Sequence, residues 1–183
     1  MDHYVEIRVL PDPEFNTTTL MNALFAKFHR ALVADGHCDV GVSFPQAGKT
    51  LGDTLRLNGG IVSLQRLMGI NWLTGLKDYT TVSKVLPVPK GCKYRVVKRV
   101  QAKSNTERLY RRSVKKGWIS EAEAEKKSTK KEQRLKHPFV SLRSNSSGQQ
   151  FRLFIHQGQI MDSPQMGTFS AYGLSANATI PWF

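Results

Sequence analysis

Two apolar patterns of different period open the chain, and together they restrict its fold more than any other feature. Residues 3–10 alternate apolar and polar side chains, which predicts a strand that Pro11 and Pro13 end. Residues 17–34 carry a wide apolar stripe at helical spacing, and Gly36 closes this predicted helix. The stripe consists of Leu20, Met21, Leu24, Phe25, Phe28, Leu32 and Val33. A strand followed by such a helix predicts a domain that mixes α and β structure.

The rest of the chain continues this mixture of predicted strands and helices. A change of composition near residues 87–91 marks a predicted domain boundary. The sequence predicts an α+β protein with domains at 1–90 and 91–183. In the first domain, strands are predicted at 39–44, 51–57 and 83–88, with a short helix at 61–68. This order resembles a ferredoxin-like unit, a common RNA-binding scaffold. In the second, smaller α/β domain, strands are predicted at 93–100, 139–144, 149–160 and 169–175.

The positive charge of the chain is concentrated in one quarter of it. The 183 residues include 27 Lys+Arg and 14 Asp+Glu, a net charge of +13, and residues 93–136 carry +11 of it. Charge placed in this way favours one polyanionic partner over general solubility, although a solvated helical face is the plain alternative. A membrane surface is disfavoured because the segment lacks an apolar face. Without an apolar run of 18 residues or a secretory leader, a cytoplasmic protein is expected.

The part of the basic segment with the most regular residue spacing is a predicted helix. Ser104 and Glu107 fit a capping box, and basic side chains then recur at i, i+3, i+4 and i+7. Like charges aligned on one face repel one another, so we expect phosphates to receive this stripe. Its members are Arg108, Arg111, Arg112 and Lys115, with Lys116 at the edge.

The sequence contains few residues at spacings that would bind a metal or a cofactor, so neither is expected. The five histidines, Cys38 and Cys92 lack ligand spacing, and carboxylates are scarce outside the basic segment. RNA carries its own nucleophile in the 2′-hydroxyl, so cleavage without metal remains open. His29, at the margin of the helical stripe, is the candidate base. Taken alone, His29, Ser144 in a Ser-rich turn and Tyr172 in a predicted strand have structural interpretations as well.

Several long blocks of the sequence resemble one family. From its first residue to its last, the chain is similar to the type I-F CRISPR repeat-RNA endoribonucleases, the processing subunits of the Csy complex. The resemblance is carried by Val97-Lys98-Arg99-Val100-Gln101-Ala102-Lys103-Ser104-Asn105, by Leu142-Arg143-Ser144-Asn145-Ser146-Ser147-Gly148-Gln149 and by Pro181-Trp182-Phe183. It implies a ferredoxin-like domain, a second domain with an arginine-rich helix, and cleavage of precursor CRISPR RNA (pre-crRNA) at the base of the repeat hairpin. It also implies 5′-hydroxyl and 2′,3′-cyclic phosphate ends, no metal, and retention of the mature crRNA within the type I-F surveillance complex.

The same resemblance implies a role for each matching residue. His29 matches the proton-transfer histidine, Tyr172 the tyrosine that orients it, and Ser144 the serine that holds the 2′-hydroxyl, with Ser146 on the same turn. Arg99 and Gln101 match the pair that reads base edges, a task that suits a guanidinium and an amide. The groove-binding helix carries the basic stripe of Arg108, Arg111, Arg112, Lys115 and Lys116. Phe151 matches the aromatic residue that stacks on the terminal base pair.

Departures and rival interpretations remain at this point. Lys115 and Lys116 stand where the family pattern has arginines, and lysine cannot form the bidentate fork that reads a base. His156 is a second histidine near the expected RNA. A non-catalytic RNA-binding module and a DNA-binding protein share the basic helix, but neither requires His29, Ser144 or Tyr172.

Overall fold

The computed structural model describes residues 1–101, 112–120, 136–144 and 147–183. The chain forms two compact units, Met1–Arg99 with His137–Phe183, and Val100–Lys136. The predicted domains at 1–90 and 91–183 stay a prediction. Antiparallel sheets with few helices confirm the α+β class.

The first sheet of the larger unit has the strand order β2-β3-β1-β4, and β5 pairs with β1 beside β4. All of these pairs are antiparallel. The strands are β1 His3–Val9, β2 Gly41–Ser43, β3 Thr54–Gly59, β4 Thr80–Val82 and β5 Leu86–Pro87. The helices are α1 Thr17–Asp35 and α2 Ile61–Gly69, with a 3₁₀ turn at Lys77–Tyr79.

Helix α1 forms because its ends are capped and its apolar stripe is buried. The Asn16 side chain accepts a hydrogen bond from the Thr19 N–H (2.8 Å), and Gly36, at φ 73°, donates its N–H to the Leu32 carbonyl. Of the predicted stripe, only Val33 is exposed. Val5, Ile7 and Val9 of β1 are buried as the alternation predicts. The predicted helix at 17–34 and strand at 3–10 are therefore confirmed.

A partly buried group of ion pairs joins α2 to the end of α1. The Arg66 guanidinium donates to both carboxyl oxygens of Asp35 (2.7 and 3.1 Å) and to Asp39 (2.9 Å), and the Ser63 hydroxyl also donates to Asp39. These hydrogen bonds from Arg66 hold the pKa of Asp35 below its usual range, against the opposing effect of burial. The Asp35 side chain is only 2% exposed, so its charge depends on this partner.

The second sheet has the strand order β7-β8-β6-β9. Its strands are β6 Lys93–Val100, β7 Phe139–Arg143, β8 Gln150–Met161 and β9 Thr179–Trp182. The side-chain amide of Gln157 on β8 bonds both backbone groups of Phe44, next to β2. Gly41 on β2 lies so close to Ile180 on β9 that a Cβ there would be 2.6 Å from its Cγ2 atom. The two sheets thus pack tightly at these points.

Two predicted strands are wrong in part. Of the strand predicted at 83–88, only Leu86–Pro87 forms a strand, β5. Directly after β4, the Glu6 N–H bonds the hydroxyl of Ser83 instead of a backbone carbonyl. The segment predicted as a strand at 169–175 is a turn, in which Gly173 at φ 68° donates to the Ser170 carbonyl. A positive φ does not fit a strand. On the side of β6 away from β8, the pairing strand is the C-terminal β9.

Candidate active site

His29 reaches the surface because of its place on α1. It follows Phe28, which is fully buried, so its ring lies at the edge of the apolar stripe and is half-buried. Its Nδ1 atom is 2.7 Å from the backbone carbonyl oxygen of Ala171. A carbonyl oxygen only accepts hydrogen bonds, so Nδ1 carries the proton in this contact. In the neutral ring Nε2 is then the unprotonated nitrogen, able to act as a base.

The turn that contains Ala171 also supplies an aromatic surface for this histidine. The rings of His29 and Tyr172 stack with centroids 4.0 Å apart and an interplanar angle of 12°. The Tyr172 ring is parallel to that of Phe25 as well, at 6.4 Å. The turn is fixed to the first sheet, since the Val42 N–H donates to the Gly173 carbonyl (2.9 Å). Tyr172 was predicted on a strand; the turn is what brings its ring face to His29.

Ser144 stands at the start of the loop that joins β7 to β8. Its N–H donates to the Gln149 carbonyl and its own carbonyl accepts from Gly148, both at 2.9 Å. Its hydroxyl accepts from the Ser147 N–H at 3.3 Å. The neighbouring Arg143 donates from Nε to the Gly148 carbonyl at 3.0 Å. Backbone and side-chain bonds therefore hold Ser144 and Arg143 in one closed loop. Ser146 lies outside the described residues.

One cleft of about 270 Å³ brings four of the predicted residues together. We call it the His29 cleft; it is lined by Ala26, His29, Arg30, Leu142, Arg143, Ser144, Phe151 and Tyr172. A base, a hydroxyl and two guanidinium groups thus share the lining, as transfer of a proton and binding of a phosphate require. Arg30 and Arg143 were missed at the sequence level. The only local signals were that each adjoins a predicted site residue.

Comparison with known proteins shows which family this chain belongs to. The family profile described as "CRISPR-associated protein (Cas_Csy4)" matches residues 4–183. The chain belongs to the Csy4 family. A relative from Escherichia coli (strain UTI89 / UPEC), named "CRISPR-associated endonuclease Cas6/Csy4", is 55% identical over the whole of both chains. A relative of the same name from Pseudomonas aeruginosa (strain UCBPP-PA14) is 46% identical, also over the whole of both chains. The predicted family is confirmed.

The RNA-binding residues predicted for this Csy4-family chain are partly described. Arg99 is exposed near the end of β6, and Gln101 is exposed in the smaller unit. Phe151 on β8 is half-buried in the lining of the His29 cleft. Arg108 and Arg111, with the predicted capping box at Ser104, lie outside the described residues.

The end of the basic helix has a well-defined geometry within the smaller unit. Residues 112–115 are helical, and Arg112, Lys115 and Lys116 are exposed. The Gly117 N–H, at φ 71°, donates to Val114 and the Trp118 N–H to Ser113, which is a Schellman motif. The Lys116 ammonium lies 4.7 Å from the centroid of the Trp118 ring. The structure thus presents these three cations on a helix end that terminates sharply.

The rival histidine has a different environment. His156 on β8 makes an edge contact with His137, with centroids 4.9 Å apart, and it is not among the residues lining the His29 cleft. Burial lowers the pKa of His156, and the nearby charges of His137, Lys98 and Arg95 lower it further. Among the described residues, no three or more His, Cys, Asp or Glu side chains are grouped to hold a metal ion. No described helix has the length and hydropathy needed to span a membrane.

Proposed function

We propose that this chain is a metal-independent endoribonuclease that cleaves precursor CRISPR RNA at the base of the repeat hairpin. The observation that carries the proposal is the His29 cleft, where an imidazole with its Nδ1 proton held by Ala171 shares the lining with Ser144. Membership of the Csy4 family, whose relatives are named CRISPR-associated endonucleases, supports CRISPR RNA as the substrate.

The proposed reaction is an internal transesterification. Ser144 holds the ribose 2′-hydroxyl, and Nε2 of His29 takes its proton while the 2′-oxygen attacks the adjacent phosphorus. The O2′–P bond forms and the P–O5′ bond breaks, which leaves a 2′,3′-cyclic phosphate and a 5′-oxygen that takes up a proton from solvent. The imidazolium returns its proton to solvent, so the net reaction neither adds nor removes atoms. The scheme uses side chains of the cleft and protons exchanged with solvent, and it therefore invokes no metal.

The stacked Tyr172 ring supports the role of His29. A ring that lies 4.0 Å away and nearly parallel limits rotation of the imidazole, while the Ala171 carbonyl fixes which nitrogen is protonated. A base that is already oriented loses less entropy when the transition state forms. We therefore assign Tyr172 to positioning His29, with Ser146 as a further hydroxyl on the Ser144 loop.

Binding of the hairpin is assigned to exposed basic and aromatic groups. Phe151 in the cleft lining suits stacking on the base pair that closes the stem, and Arg99 and Gln101 suit base reading. The stripe of Arg108, Arg111, Arg112, Lys115 and Lys116 supplies the groove contacts. So many charge contacts favour slow release, so the mature crRNA stays bound and joins the other subunits of the type I-F surveillance complex. The cytoplasm, where its RNA substrate is transcribed, is the expected compartment.

The topology of the first sheet supports the ferredoxin-like assignment. The elements follow the order β1-α1-β2-β3-α2-β4, and the strand order in space is β2-β3-β1-β4. This is the arrangement of a split β-α-β fold that many RNA-binding domains use.

Replacing His29 tests the proposed function. His29→Ala should slow single-turnover cleavage of the repeat hairpin by about 10²–10⁴-fold, the usual contribution of a general base, and should leave hairpin binding intact. His156→Ala is the matched control and should cleave like the wild type. The assay is run in EDTA, and the ends of the products are identified as 5′-hydroxyl and cyclic phosphate.

Three results would contradict the proposal. Full activity of His29→Ala would remove its catalytic role, and loss of cleavage in EDTA would show that a metal is needed. Binding of many unrelated hairpins without any cleavage would instead favour a non-catalytic RNA-binding module.

A further inference from the structure

The His29 cleft contains positive charge that the proposed reaction has not yet used. Its lining includes the guanidinium groups of Arg30 and Arg143 and no carboxylate. Arg143 is the last residue of β7, and Ser144 follows it as the first residue of the loop between β7 and β8. The charge therefore adjoins the hydroxyl that is proposed to hold the reacting ribose.

The chemistry of cleavage calls for such a charge. When the 2′-oxygen attacks, the phosphorus becomes five-coordinate and its non-bridging oxygens gain negative charge. Ser144 and Tyr172 are neutral, and His29 becomes cationic only after it has taken the proton. A fixed cation aimed at these oxygens stabilises the transition state more than the ground state, which is the requirement for a faster chemical step.

The two arginines differ in how they are held. Arg143 donates from Nε to the Gly148 carbonyl at 3.0 Å, a hydrogen bond that uses neither of its Nη groups. The Gly148 N–H in turn donates to the Ser144 carbonyl, so hydrogen bonds through Gly148 link the guanidinium to Ser144. Arg30 is exposed on α1 and, within the described part of the chain, has no hydrogen bond that fixes its guanidinium. Pre-organisation therefore favours Arg143.

We propose that Arg143 is a further catalytic residue, which donates hydrogen bonds from its guanidinium to the non-bridging oxygens of the scissile phosphate. This inference rests on the proposed function and adds to it the group that stabilises the phosphorane. A planar fork with two parallel donors matches two phosphate oxygens, whereas a lysine ammonium offers a single charged point.

The test compares Arg143→Gln and Arg143→Lys with Arg8→Gln as the control, since Arg8 is an exposed arginine that pairs with Asp53 and does not line the His29 cleft. Single-turnover cleavage is measured with saturating enzyme, and affinity is measured on a hairpin with a 2′-deoxy ribose at the cleavage site. Arg143→Gln should lower the cleavage rate by about 10²–10³-fold, as loss of one transition-state donor does in other enzymes. Its affinity for the uncleavable hairpin should change less than the rate. The cleavage rate of Arg143→Lys should lie between those of Arg143→Gln and the wild type. Guanidinium ion added to Arg143→Ala should restore part of the cleavage rate.

The outcomes separate this inference from the function on which it rests. Wild-type protein that fails to cleave refutes the proposed function and the inference together. Wild type that cleaves, His29→Ala that does not, and Arg143→Gln with a near-normal rate refute the inference alone. If Arg143→Gln and Arg143→Lys are equally slow and guanidinium restores nothing, Arg143 only holds the loop. If only affinity falls, Arg143 grips the RNA in the ground state. Either of these last two results overturns the catalytic assignment.

Discussion

Gly173 is the position where one added methyl group should disturb the candidate active site most directly. It lies at φ 68°, and a Cβ placed there would be 3.1 Å from Cζ of Phe28 and 3.2 Å from Cβ of Val42. Both neighbours are fully buried, so neither can move away at low cost. Gly173 also follows Tyr172, so any shift of the turn moves the ring that stacks on His29.

The expected cost of Gly173→Ala has two parts. An L-residue in the left-handed region costs about 1–2 kcal/mol relative to glycine, and forcing a methyl group into a packed core costs about 1–3 kcal/mol. Gly75 provides a matched control, since it has φ 76° and open space within 4 Å of its Cβ position. Gly75→Ala should therefore show the first part alone. The difference between the two variants, about 1–3 kcal/mol, measures the contact with Phe28 and Val42.

Urea unfolding of the two variants gives these free energies, and single-turnover cleavage at a temperature where both are folded gives the effect on the site. Gly173→Ala should cleave at least about tenfold more slowly than the wild type, because small displacements of catalytic groups are costly. Gly75→Ala should cleave normally. If both variants lose the same stability, the turn does not pack as described. If Gly173→Ala is less stable but cleaves normally, the turn does not position His29.

Two further predictions concern charges elsewhere in the chain. Arg66→Met should lower the free energy of unfolding at pH 7 by about 2–3 kcal/mol. This is less than for a fully buried pair, because Arg66 and Asp39 are partly exposed. Arg8→Met is the control: it breaks an exposed pair with Asp53 and should cost under about 1 kcal/mol. The pKa of the Asp35 carboxyl is lowered in the folded protein, so its ion pair contributes stability above the ordinary pKa of 3.8 and loses it as the pH falls through the folded value. The stability difference between Arg66→Met and the wild type, measured by urea unfolding, should therefore shrink below about pH 4. An undiminished deficit at pH 3 would contradict this assignment. Replacing Lys115 and Lys116 by Gln should reduce the salt slope of hairpin binding by about 0.7–0.9 per lysine, with Lys49→Gln as the control, and an unchanged slope would show that they do not contact phosphates.

The hydrophobic periodicity of the sequence was sufficient to predict the elements that bury one face along their own length. The stripe on α1 and the alternation in β1 each bury one face, and that period is visible in the sequence. The turn at 170–173 was not predictable in this way. Its conformation depends on the Val42 N–H and on close packing against Phe28, both more than 100 residues away. A segment with alternating apolar residues was therefore interpreted as a strand.

The candidate site shows the same limit. The contact between His29 and Ala171 spans 142 residues, and neither residue type alone predicts it. The resemblance to the family implied roles for His29, Ser144 and Tyr172, and the structure places these three residues in the lining of one cleft. Arg143 had no signal of its own, since an arginine before a turn is ordinary in a basic chain.

The proton on His29 is controlled by a main-chain oxygen, and this changes which substitutions can affect the reaction. No side-chain replacement at Ala171 removes its carbonyl, and replacing Tyr172 removes the stacked ring but not the hydrogen bond to Nδ1. The state of the imidazole therefore depends on the residues that shape the backbone of the turn, above all Gly173 and the Val42 N–H that binds it. The basic helix end belongs to the other compact unit, so we expect replacement of Lys115 or Lys116 by arginine to leave the contact between His29 and Ala171 unchanged. Under the proposed function, we therefore expect hairpin affinity and the rate of the chemical step to respond to different substitutions.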